Sequence, residues 1–251
     1  MPEQAVITFV SAVVQLHSAD ASPAQRAAAN AWLVDFSTAA GSPALCAGLL
    51  SDPSGAPEPA LVLAANLVAE AASRQGVAMV EPLLGLCAAP GLASSAALRR
   101  LAAAAAAVAV AARAEPALLA APAFGTLAAP RQLLFLHAVA DAAANSGSGE
   151  ELALRPSVAA ARNAATAAIE HALLPAAGAP PLFELCAALR CLTAWAEAGL
   201  GLAELASVHA PLFSALIAAL DTRPLARETF LAVSTLRATA ETSRNLGEIF
   251  C

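Results

Sequence analysis

The chain has 251 residues, is 59% hydrophobic and 13% charged, lacks Tyr and has a mean hydropathy of +0.68, a gross profile that in an ordinary protein suggests membrane. Its alanine excess produces that profile, and no stretch reads as a span: Leu101 to Ala112 is a short uncharged run between Arg100 and Arg113, and the other long uncharged stretches carry Pro43, Pro90 or Pro122. A formal net charge of −6, with Arg as the only strong base, excludes the clustered cationic surface that nucleic acid requires.

Alanine loses no side-chain rotamer entropy in a helix, so it biases almost every segment toward helix. Apolar residues at helical spacing recur along the whole chain, interrupted by Pro, Gly and Ser. The first helix is predicted over Ala5 to Leu16, with Val6, Phe9, Val10, Val13 and Val14 on one face. Ser22 as N-cap and Pro23 at the first helical position open the second, which carries Trp32, Leu33 and Phe36 and stops before Gly41. A short helix near Pro43 to Leu50 precedes a longer one near Pro59 to Gln75, whose expected inner stripe is Leu63, Leu67 and Ala71. Helices follow near Ala78 to Cys87, Ser94 to Ala114, Pro130 to Asn145, Ser157 to Leu174, Pro181 to Ala198, Leu202 to Leu220 and Pro224 to Phe250, with a flexible loop over 146–150.

No run of β-branched residues with period two and no Asn-Gly or Asp-Gly hairpin turn competes with this reading, so the fold class is all-α. Helical pairs at roughly forty-residue spacing match a HEAT or armadillo array, an α-solenoid of antiparallel helix pairs over 1–251. An irregular helical bundle is the alternative.

Catalytic and cofactor chemistry finds little support. His17, His137, His171 and His209 are scattered, and none belongs to a metal-ligand motif. His137 and Asp141 share a helical face at i,i+4, which orients an imidazole without supplying a nucleophile. The five Cys, at 46, 87, 186, 191 and 251, form no CxxC and read as free thiols of a reducing compartment; Cys186 and Cys191 fall on different faces of one helix. No phosphate-binding glycine motif occurs, the acidic residues are dispersed, and Glu3 and Gln4 stand where a secretory signal has basic residues. The sequence therefore calls for no cofactor, no metal and no catalytic residue, and shows no convergence of titratable groups. What remains is a polar stripe on the fourth helix, where Asn66, Glu70 and Arg74 recur at i,i+4 and Glu70 pairs with Arg74. It reads either as a solvated face or, on an inner helix of a solenoid, as part of a concave binding surface.

Two stretches carry a resemblance. Val13-Val14-Gln15-Leu16-His17, Asp20, Ser22-Pro23, Arg26 and Ala31-Trp32-Leu33 look like the first HEAT repeat of the transportin-3 (transportin-SR) and importin-13 branch of the importin-β superfamily. Leu189-Arg190-Cys191-Leu192, Trp195 and Gly199, then Leu212-Phe213 and Leu216, resemble that branch's repeat with an Arg-Cys-Leu-x-x-Trp core. The resemblance implies the N-terminal part of a nuclear transport receptor that moves between cytoplasm and nucleus. It would bind protein cargo, SR-type splicing factors among them, and Ran in its GTP form. By position it implies Asn30, Asn66, Glu70, Arg74 and Arg99 as partner-binding residues. A general HEAT or armadillo scaffold without Ran coupling, and an enzyme within a helical bundle, are the other readings.

Overall fold

The computed structural model describes residues 2–146, 156–174, 182–200, 205, 210–220 and 226–249. Among these every regular element is helical, and no strand occurs. The expected loop over 146–150 lies outside the described residues apart from Ser146, as do most of 201–209, where the helix predicted from Leu202 was to begin. No single helix among the described residues is long and apolar enough to cross a membrane. The chain divides into two compact units, Met1–Val108 and Ala109–Cys251, with the division inside one helix.

The first unit opens with α1 (Pro2–His17) and α2 (Pro23–Thr38), which pack on each other. Ser22 caps α2 as its sequence predicts: its hydroxyl accepts from Gln25 N at 3.3 Å, and Gln25 Oε1 accepts from Ser22 N at 2.8 Å. This reciprocal pair satisfies two amide donors that the helix start leaves orphaned. Arg26 fixes the preceding turn by donating from Nη2 to the carbonyls of Ser18 and Ala19, at 3.0 and 3.2 Å. Phe36 joins the two helices, with Phe9 5.0 Å away on one side and Trp32 stacked 5.1 Å away on the other. The buried stripe of α1 is narrower than predicted: Phe9, Ala12 and Val13 are enclosed, while Val14 is exposed.

Next, α3 (Ser42–Ser51) packs on α4 (Glu58–Gln75), and α1 touches both. The Ser42 hydroxyl, itself buried, donates to the Phe36 carbonyl and ties the start of α3 to the end of α2. Half of the eighteen residues of α4 are buried. Its enclosed face runs through Leu61, Ala64, Ala65, Val68 and Ala72, as well as Leu67 and Ala71, whereas Leu63 is only half-buried. A 3₁₀ turn over Gly76–Met79 leads into α5 (Val80–Ala88), and α6 (Ser95–Ala111) follows, its first turn capped by the Ser94 hydroxyl, which accepts from Ala97 N at 3.2 Å.

In the second unit the end of α6 turns through a Schellman motif, with Arg113 N donating to Val110 O at 3.1 Å and Ala114 N to Ala109 O at 2.7 Å. Arg113 stands at the left-handed position, φ 55°. Two short helices that the sequence reading did not anticipate follow, α7 (Glu115–Ala120) and α8 (Pro122–Thr126), each with Pro in its first turn. Pro reads as a breaker in sequence, yet its fixed φ and absent amide hydrogen suit a helix start. Then come α9 (Ala129–Ala144), α10 (Pro156–Leu173), α11 (Leu182–Glu197), α12 (Ala210–Leu220) and α13 (Ala226–Ile249). α11 is the centre of this unit, packing on α9, α10 and α13, and it buries Leu189, Cys191, Leu192 and Trp195. It too ends in a Schellman motif, with Gly199 N donating to Ala196 O and Leu200 N to Trp195 O, and here Gly199 takes the left-handed position at φ 102°.

Candidate functional site

All five residues expected to bind a partner lie in the first unit. Asn66, Glu70 and Arg74 do share one edge of α4, on the side of the helix that is not enclosed. Arg74 Nη1 donates to Glu70 Oε1 at 3.0 Å, and the two side chains remain 64% and 62% exposed. A pair that open to water contributes little stability. It can exchange its internal contact for one with a partner at small cost. Asn66 is half-buried, and no side-chain hydrogen bond of Asn66 or Asn30 occurs among the described residues. Asn30 is exposed on α2, which packs chiefly on α1, whereas α4 packs chiefly on α3, so these residues belong to different helical pairs. Arg99 is exposed on α6.

The second unit holds a feature that the sequence reading missed, a cleft of about 350 Å³. α9 lines it with His137 and Asp141, α11 with Arg190, Thr193 and Glu197, and α13 with Arg227, Glu228 and Leu231. Six titratable side chains from three helices thus converge, correcting the expectation that none would. His137 Nε2 lies 3.2 Å from Asp141 Oδ2, the i,i+4 pair visible in the sequence. Arg190 Nη2 lies 3.6 Å from Glu228 Oε1, an ion pair too long for a hydrogen bond. Neither Glu197 nor Arg227 has an ion partner among the described residues. The Thr193 hydroxyl donates back to Leu189 O at 3.0 Å, so it offers the cleft acceptor lone pairs rather than a poised nucleophile. The cleft is equipped for ionic contacts with a partner.

On α11, burial pushes the Cys191 thiol far above its ordinary range; the Asp141 carboxylate adds to the shift and the Trp195 indole N–H opposes it. That N–H, although close enough to act on the thiol, has no hydrogen bond of ordinary geometry. Burial likewise raises Cys46 in the first unit, where Val6, Phe9, Phe36 and Leu49 surround it. Cys186 and Cys191 separate as expected, one half-buried and one enclosed. No group of three His, Cys, Asp or Glu among the described residues is spaced to hold a metal ion. No protein-family model matches the chain, and no curated protein and no solved structure matches it.

Proposed function

We propose that this chain is a protein-binding array of HEAT or armadillo helical pairs with no catalytic activity. We read it as a nuclear transport receptor of the transportin-3 and importin-13 kind, or the N-terminal part of one. The partners are Ran in its GTP form and a protein cargo such as an SR-type splicing factor, carried between cytoplasm and nucleus. The observation that carries this reading is α4: half of its residues are enclosed, and its open side carries Asn66, Glu70 and Arg74 as a polar strip, the pattern of an inner helix facing a partner. Supporting it, the residues of the first resembling stretch fall on the α1–α2 pair and do structural work there, Ser22 and Arg26 shaping the turn and Trp32 stacking on Phe36. The Arg-Cys-Leu-x-x-Trp run lies on α11, the central helix of the second unit.

The mechanism would be a positive, unfavourable coupling free energy between two sites: Ran-GTP and cargo each lower the affinity for the other, so cargo is released where Ran-GTP is abundant. The test is a calorimetric titration of the purified chain with Ran loaded with a non-hydrolysable GTP analogue and, in parallel, with GDP. Binding confined to the GTP form, weakened by Arg74→Glu and by Asn66→Ala, is the expected result. A folded sample that binds neither form, or both equally, would rule out Ran coupling and leave a general scaffold.

A further inference from the structure

Among the residues of α13 whose burial is described, Arg227, Phe230, Leu231, Ser234, Arg237 and Ala238 are exposed at i, i+3, i+4, i+7, i+10 and i+11, which is one stripe of a helix. A solvent-facing stripe is ordinarily polar, yet Phe230 is 66% and Leu231 48% exposed. Leu231 also walls the charged cleft, so the apolar residues and the cleft form one surface. Its two unpartnered charges are of opposite sign, Arg227 on α13 and Glu197 on α11. A surface of single sign repels its own copy. One that carries an apolar centre and an unpaired charge of each sign can pair with its own copy under a two-fold axis that passes between the charges, where each contact is made twice.

We propose that this face, α13 with the adjoining edge of α11, is an isologous interface to a second copy of this chain. Phe230 and Leu231 of each copy meet at the centre, and Arg227 of each reaches Glu197 of the other. The inference rests on the second unit alone and is independent of the Ran-binding reading.

Sedimentation equilibrium of the full chain over the micromolar range tests it, with circular dichroism checking that each variant is folded. A reversible dimer is expected. Arg227→Glu alone would set like charges against each other twice, as would Glu197→Arg alone, and either should weaken association on the order of a hundredfold. Mixing the two single variants pairs two acidic sites on one copy with two basic sites on the other and should restore a dimer, as should combining both reversals in one chain. A native chain that stays monomeric throughout overturns the proposal. So does association that both single reversals leave unchanged, or that the mixture fails to restore.

Discussion

Two long helices, α4 in the first unit and α11 in the second, reach burial by different means. Six of the buried residues of α4 are alanines, so neighbouring backbone approaches closely and each residue contributes little area. α11 buries Leu189, Leu192 and Trp195, the last completely. A Trp removes ~150–250 Å² from water, several alanines' worth. Stability is therefore spread thinly along α4 and concentrated in a few side chains on α11. The contrast predicts opposite weaknesses. Trp195→Ala should cost about 3–5 kcal/mol in urea unfolding; a loss below 1 kcal/mol would mean the surroundings collapse into the space and the burden is shared after all. On α4 the danger is gain of volume rather than loss. Ala64→Leu, at a residue with no exposure, should cost about 1–3 kcal/mol by overpacking. A neutral result would show slack where α4 appears tight.

A second difference lies in unsatisfied polar groups. Both carboxylate oxygens of Glu115, at the start of α7, are buried without a hydrogen bond, whereas Glu70 on α4 is exposed and paired. Glu115→Met keeps the length and removes the polar atoms, so it should raise stability by about 1–3 kcal/mol. Unchanged stability would sharpen the comparison the other way, by showing that the carboxylate finds compensation.

Thiol chemistry separates the enclosed sites from the open ones. Burial pushes Cys46 from an ordinary 9.0 up to about 12. The unfolded thiol ionises near its ordinary value while the folded one stays neutral, so the unfolded state binds fewer protons across that window. Stability contributed by neutral Cys46 is full below pH 9.0 and declines as the pH climbs toward about 12. Cys46→Ala should flatten that part of the stability profile, and half-buried Cys186 should be alkylated before Cys46 in the native chain.

What could be read in the sequence was what depends on neighbours along the chain. Ser22 with Pro23 marked a helix start, the fourth helix was located to within a residue, and Glu70 with Arg74 followed from one helical turn. Of the inner stripe expected on α4, Leu67 and Ala71 are enclosed and Leu63 is not, and the rest of the buried face escapes a reading that follows Leu because it is mostly alanine. α7 and α8 were missed because Pro116 and Pro122 read as breaks rather than starts. In the cleft, His137 with Asp141 was legible and Arg190 with Glu228 was not, since only the packing of α11 on α13 brings the second pair together.

The smallest effect compares two helix ends within the second unit. α6 and α11 close with the same pair of hydrogen bonds, one around Arg113 at φ 55° and the other around Gly199 at φ 102°. For an L-residue with a Cβ the left-handed region costs roughly 1–2 kcal/mol, a strain that Gly escapes. Arg113→Gly should therefore stabilise the chain, by about 0.5–1 kcal/mol once the greater freedom of Gly in the unfolded state is subtracted. Gly199→Ala should destabilise it by a similar or somewhat larger amount. The two turns share no hydrogen bond, so the double variant should fall within about 0.5 kcal/mol of the sum. A loss of stability in Arg113→Gly would show that the arginine side chain stabilises the turn by more than its backbone strain costs.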